Sequence, residues 1–174
     1  MATKLLDEIR KSNKKPKELL VFLADLIKKD PHLLDDFEDS VNNAADAERG
    51  TCIESLEYAT QENPELAVSH IKTVISCLGD KAPRVKWEAA RVIGNIAQKC
   101  PEEAIKAIDA LMINTRDKGT VVRWSTAFAL GEILKSSERG REALKEKIDR
   151  LVNEEDNNGV KNVYLKALKA IKTT

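Results

Sequence analysis

Between residues 84 and 97, Val85, Ala89, Val92 and Ile96 recur three and four positions apart, the spacing that lines up side chains on one face of an α-helix. A second apolar face follows from about Pro101 to Asn114, formed by Ala104, Ile105, Ile108, Leu111 and Met112, so this stretch reads as two consecutive amphipathic helices. The first helix has a further stripe, Trp87, Ala90, Gly94 and Ala97, on the far side from Val85 at 100° per residue. Trp124, Ala127, Gly131 and Leu134 repeat it. A helix with two apolar stripes is buried on two sides. Glycine inside a helix costs about 1 kcal/mol relative to alanine, so Gly94 and Gly131 at the same repeat position predict close approach by a neighbouring helix.

The two tryptophans stand 37 residues apart, and the register extends well beyond them. Residues 84–96 lie over residues 121–133 with valine, a basic residue, Trp, Ala, Gly and Ile in matching places, and residues 63–71 lie over 100–108. At an offset of 38, Val160-Lys161, Ala167-Leu168 and Ile171 repeat Val122-Arg123, Ala129-Leu130 and Ile133. A period in this range is the signature of stacked supersecondary units. Asp30-Pro31, Asn63-Pro64, Cys100-Pro101 and Ser137-Glu138 mark the turn into each second helix. Proline there gives up an amide hydrogen that has no helical partner, while Asp, Asn or Ser accepts from the amides behind it; Cys100 is the weak cap of the series. The aligned positions outside the middle units, Glu57 and Lys169, are charged, as expected of end units that lack a neighbour.

Composition agrees with a helical protein. The chain is 42% hydrophobic and 33% charged, with 4% aromatic residues, 7 Gly and 5 Pro, too few turn formers for a sandwich or barrel. The longest apolar run, Leu19 to Ala24, falls far short of the roughly 20 residues a bilayer span requires, and the N-terminus lacks a signal-like apolar core. Cys52, Cys77 and Cys100 form no CxxC pair, which argues against a disulfide framework or zinc site. These features lead us to expect a cytoplasmic protein with free thiols. Charge adds one detail. The 29 basic and 29 acidic residues cancel, yet residues 30–66 hold 11 Asp/Glu against Arg49 alone, while residues 1–29 carry +4 and residues 67–174 carry +6. In a linear stack, sequence order becomes spatial order, so an acidic region is expected near the N-terminal end, followed by a mixed, net-basic body around Lys81, Arg84, Lys86, Arg91, Arg116 and Arg123.

The run Asp80-Lys81-Ala82-Pro83-Arg84-Val85-Lys86-Trp87-Glu88-Ala89-Ala90-Arg91-Val92-Ile93-Gly94-Asn95-Ile96 resembles the HEAT-repeat pattern of Asp, Pro, Val-Arg, Ala-Ala, Leu-Gly and Ile, and residues 117–133 match nearly as well. The resemblance is specific over 80–152, looser over 47–79 and 156–174, and weak over 1–46. It implies an all-α, right-handed α-α superhelix of about four to five antiparallel helix pairs, a HEAT-like or armadillo-type solenoid with second helices on its concave side. We expect one such domain over 1–174, with repeats at approximately 16–46, 47–79, 80–116, 117–155 and a partial 156–174, and a cap helix over 1–12. The resemblance also implies that an Asp and a basic residue (Asp80 with Lys86, Asp117 with Arg123, Asp156 with Lys161) tie adjacent units together.

Catalytic constellations are missing from the sequence. No two glycines are closer than nine residues, and neither a GxSxG elbow nor an HExxH helix occurs, so phosphate-loop, hydrolase and zincin chemistry lack their residues. His32 and His70 read as surface or seam residues. HEAT-like hydroxylases hold two irons with His-Glu dipeptides, whereas His32 precedes Leu33 and His70 precedes Ile71. HEAT-like DNA glycosylases need a basic groove, which the acidic block opposes. The expectation is a non-catalytic, monomeric scaffold or adaptor without cofactor or metal, binding a protein or peptide. The acidic block favours a basic partner. Nucleic-acid binding, or a role as accessory subunit of a HEAT-like lyase, are the alternatives. Candidate contact residues are Asp35, Asp36, Glu38 and Asp39 in the acidic block, Lys106, and Trp87 and Trp124. The tryptophans also have a purely structural explanation as seam residues.

Overall fold

A computed structural model describes residues 4–173. Every regular element in this range is helical. The helix α1 (Lys4–Lys11) precedes α2 (Pro16–Lys29), a 3-10 turn (Pro31–Leu34) and α3 (Phe37–Asn42). Next come α4 (Asp46–Thr60), a second 3-10 segment (Pro64–His70) and α5 (Ile71–Cys77), then α6 (Pro83–Ile96), α7 (Pro101–Ile105) and α8 (Ile108–Asn114). The chain continues through α9 (Thr120–Ser136), α10 (Glu138–Glu154) and α11 (Asn158–Lys172). The expected cap helix is thus α1 for residues 4–11; its first three residues lie outside the described range.

The long first helices of successive pairs pack side by side in the order α2, α4, α6, α9, α11, and the second elements lie along one side of this row. The helix α1 lies across the first pair, touching α2, α3 and α4. Both stripes of α6 are used as their spacing predicts. Val85, Ala89, Val92 and Ile96 are fully buried, and so are Ala90 and Ala97 of the second stripe. A Cβ added to Gly94 would overlap the Phe128 ring from α9, and one on Gly131 would come within 3.0 Å of the Ala167 Cβ from α11. These glycines therefore mark close inter-repeat contacts. The tightest of the glycine sites lies elsewhere, at Gly140 on the first turn of α10, where a Cβ would overlap the Ile133 carbonyl oxygen at the end of α9.

The continuous helix expected over 101–114 is broken into α7 and α8 at Lys106. The three second elements that open on proline (Pro31, Pro64, Pro101) are all broken in this way, whereas the one that opens on Glu138 runs unbroken for 17 residues. Capping is also less uniform than the sequence suggests. Asp30 accepts from the His32 amide (3.2 Å) and Ser137 from the Gly140 amide (3.0 Å), but Asn63, like Cys100, makes no side-chain cap.

The expectation that Glu57 marks an exposed end position is incorrect. Its side chain is 1% exposed, because α2 packs against one side of α4 and α6 against the other. Lys169 on α11 is exposed.

Candidate protein-binding surface

The face of the second elements comprises α3, α5, α8 and α10 with the short helical segments before them. On it, the acidic block divides in two. Acidic residues on or beside the first helices are held by cations: Asp46 by Arg49 (2.8 Å), Glu48 by Arg10 (2.8 Å), Glu54 by Arg84, Glu57 by Arg91 (3.4 Å) and Glu62 by Lys28 (3.0 Å). The Arg10 fork and the Ala45 amide pull the Glu48 carboxyl down to about 2. On the second-element face, Asp35 meets only His32 (3.2 Å). Asp36, Glu38, Asp39 and Glu65 make no salt bridge among the described residues, and all of them except half-buried Asp36 are exposed. The unneutralised part of the block is thus a patch on α3 and the two 3-10 segments. There a groove of about 600 Å³ opens between Pro31, His32, Asp35, Glu65 and His70. The His70 ring packs edge-on against Phe37 (5.4 Å), and burial lowers its pKa.

Cations of the expected basic body are spoken for as well. Lys81 meets Asp46 (3.4 Å), Arg84 meets Glu54, Lys86 meets Asp117 (2.8 Å) and Arg91 meets Glu57. Arg123 meets Glu155 (3.0 Å) and Arg116 lies near Glu154 (3.8 Å). The inter-repeat ties therefore differ from the expected pairing. Asp80 pairs with Arg49 (2.7 Å) of the preceding pair rather than Lys86; Lys86 reaches forward to Asp117, and Arg123 forward to Glu155 rather than Asp156. Each acceptor carboxylate also takes a backbone amide two residues on: Ala82 for Asp80, Gly119 for Asp117 and Asn157 for Glu155, all at 2.8 Å. A loop carboxylate locked by its own backbone thus receives a cation from the helix before it.

The remaining candidates lie apart. Lys106 sits at the α7–α8 break, exposed and paired with Glu103 (2.7 Å). Trp87 and Trp124 lie on first helices, away from the acidic patch. Trp87 is half-buried and its indole N–H donates to Glu88 (2.8 Å), while Trp124 is 43% exposed and stacks on Phe128 with ring centroids 6.1 Å apart. The seven sequence candidates therefore fall in three groups: the acidic four around α3, Lys106 at the α7–α8 break, and the tryptophans on α6 and α9.

A further groove, of about 560 Å³, lies between the C-terminal ends of α8 and α10. Met112 and Leu151 lie low in it, and exposed Ile113 stands beside them with Arg116, Lys147, Arg150 and Glu154. Ile113 is 77% exposed, the most exposed of the large apolar side chains described. Sequence reasoning passed over it because it falls off the apolar stripe of its helix, yet that lack of phase was the available signal. Ser76 occupies the same place one repeat earlier.

The cysteine thiols are held toward their neutral form. Burial pushes the thiols of Cys52 and Cys77 up to about 12 and also raises Cys100, which suppresses the thiolate needed for nucleophilic attack. Among the described residues no group of three His, Cys, Asp or Glu side chains is arranged to hold a metal ion, and no helix is long and apolar enough to cross a membrane.

Residues 83–133, which span α6 to most of α9, match the model of a family described as HEAT-like repeat. Over these residues the chain is similar to HEAT-like repeats. No curated protein matches its sequence. Among solved structures, an engineered protein at 18% identity aligns over 99% of this chain and 82% of its own with a TM-score of 0.78. A second engineered protein at 16% identity gives 98%, 79% and 0.76. A designed armadillo repeat protein in complex with the peptide (KR)4 is 19% identical and covers 97% of this chain and 79% of its own, with a TM-score of 0.75. At such identities the likeness concerns the fold, a right-handed α-α superhelix of stacked helix pairs.

Proposed function

We propose that this HEAT-like stack is a non-catalytic, monomeric scaffold that binds a basic protein or peptide segment on the face of its second elements, at Asp35, Asp36, Glu38, Asp39 and Glu65. The observation that carries the reading is the division of the acidic block. Five carboxylates on the first-helix side are matched to cations, while those on the other side make no salt bridge to a lysine or arginine among the described residues. An unneutralised field of one sign speeds encounter with the opposite charge and selects for it. Support also comes from the similarly folded designed armadillo protein, whose bound peptide is an alternation of lysine and arginine. Nucleic-acid binding is disfavoured on the same grounds, since Lys81, Arg84, Lys86, Arg91, Arg116 and Arg123 all face carboxylates.

The test is fluorescence anisotropy with labelled (KR)4 peptide against the parent and against a variant with Asp35, Asp36, Glu38 and Asp39 changed to Lys. The variant should bind at least about tenfold more weakly and with a flatter salt dependence. Unchanged affinity, together with loss of binding on Trp87→Ala or Lys106→Glu, would move the site to the middle repeats.

A further inference from the structure

Two grooves on the second-element face hold corresponding places in the stack, both at the C-terminal ends of neighbouring second helices. The one between α3 and α5 is polar. Glu38, Asn42, Lys72 and Ser76 line it, and the Arg49–Asp80 pair closes one side. The one between α8 and α10 has an apolar floor and three cations against one carboxylate on its rim. Nothing in the fold requires Ile113 to be apolar: its side chain is 77% exposed, and the equivalent residue of the preceding repeat is Ser76. Lys147 and Arg150 make no salt bridge among the described residues, and the Arg116–Glu154 contact is long and solvent-exposed (3.8 Å). An apolar floor inside a net-positive rim matches an apolar side chain flanked by carboxylates, as aromatic and aliphatic anchors in rimmed pockets do at other interfaces.

We infer that the groove floored by Met112 and Leu151, edged by exposed Ile113 and rimmed by Arg116, Lys147 and Arg150 receives an apolar residue flanked by acidic residues, in the same partner segment whose basic part lies on the acidic patch. This inference rests on the proposed function and specifies the partner. Glu38 is the member of the acidic patch that lines the first groove, and from it the second groove is two repeats away. Packed helices lie about 10 Å from one another, so the span is about 20 Å, and an extended chain advancing roughly 3.3 Å per residue covers it in about six residues. The partner is therefore an extended segment with a basic cluster and an acid-flanked apolar anchor about six residues apart. The two halves bind together through effective concentration.

Four labelled peptides test this by anisotropy: Lys-Arg-Lys-Arg alone, Asp-Leu-Glu alone, the two joined with centres six residues apart, and the two joined with no spacer. The joined peptides are made in both chain directions. The six-residue peptide, in one direction, should bind about thirtyfold more tightly than the basic peptide alone and at least several-fold more tightly than the unspaced one. Ile113→Asp and Arg150→Glu should each return it to the affinity of the basic peptide without altering the binding of that peptide. Because both side chains are exposed, melting temperatures should match the parent. If the basic peptide binds and the joined peptides bind no better, or if the gain survives Ile113→Asp, the inference fails while the proposed function stands. If the basic peptide does not bind at all, or is insensitive to the four-residue charge reversal, the proposed function itself fails.

Discussion

The seam between α4 and α6 and the seam between α6 and α9 are built at the same register and solved with opposite chemistry. Glu57 in α4 and Gly94 in α6 are 37 residues apart. At the second seam Gly94 leaves a hollow that the Phe128 ring fills. At the first, Glu57 sends a buried carboxylate toward α6. There Asn95 Nδ2 donates to its Oε1 (3.2 Å), Arg91 lies at 3.4 Å, and Gln61 donates from its own helix (3.0 Å). Asn95 also donates to the Glu57 carbonyl oxygen (3.1 Å), so one side chain stitches both the backbone and the carboxylate of the earlier repeat. An apolar seam tolerates small shifts until atoms overlap. A buried polar seam is specified by each donor and acceptor, since an unmatched one costs its full desolvation. The first seam already contains one such imperfection: Glu88 is 3% exposed, and its Oε2 has no hydrogen bond, with Arg91 Nη1 at 3.5 Å as its nearest cation.

The largest expected effect tests the apolar seam. Gly94→Leu should lower stability by about 1–3 kcal/mol through overpacking, measured by urea denaturation. Phe128→Ala placed in the same chain should recover part of the loss, because the ring is what the new side chain meets. Additive losses in the double variant would show that the two residues do not share a contact.

Glu57→Leu tests the polar seam and should cost about 1–2 kcal/mol, since Gln61 and Arg91 lose the carboxylate and Asn95 keeps only the Glu57 carbonyl and Thr60. An unchanged urea midpoint would mean that α4 and α6 are held by their aliphatic contacts alone.

The smallest effect is a slope with pH. Burial, aided by the nearby Glu54 charge, raises the Glu88 carboxyl to about 7 against the opposing pull of Arg91. An acid whose folded pKa is raised binds its proton more tightly in the folded state, so its contribution falls as pH rises from about 4.5 to about 7 and is flat above that. Glu48, pulled down to about 2, acts in the opposite sense and only below about 4.5. His70, lowered by burial from its ordinary 6.5, adds stability as pH rises toward about 6.5 and is flat above that. Comparing the parent with Glu88→Gln isolates the first term: the difference in stability should change by less than about 1.4 kcal/mol per pH unit between 5 and 7, the limit for one proton. Parallel profiles would place the Glu88 carboxyl in solvent.

The apolar seam was legible from sequence because burial on two helix faces leaves a periodic trace, and Gly94 and Gly131 stand out against it. The polar seam was not. Its partners, such as Glu57 and Asn95, are 38 residues apart, and a charge at an aligned position reads as exposure until the neighbouring helix is in place. The same limit explains the inter-repeat ties. Asp80 and Lys86 are close in sequence, but they point across different junctions, and only the stacked loops show that the cation belongs to the repeat before. Of the candidate binding surface, the acidic residues were legible as a block, whereas the split into matched and unmatched halves depends on which helix each one occupies. Ile113 was invisible to a search for stripes because it interrupts one.

The chain of ties from Arg49 to Asp80, from Lys86 to Asp117 and from Arg123 to Glu155 runs in one direction, each unit accepting on its loop and donating from its helix. A segment such as residues 80–116 contains one acceptor, Asp80, and one donor, Lys86. Copied in tandem, it would accept from Arg49 on one side, donate to Asp117 on the other and close a new tie at the junction between copies. The stack can thus lengthen by duplication in frame without breaking an existing join, whereas an insertion that starts between the two halves of a tie orphans both. Such directional self-compatibility makes growth by whole units the permissive route for this architecture and confines change within a unit to the surfaces that no tie uses, among them the groove beside Ile113.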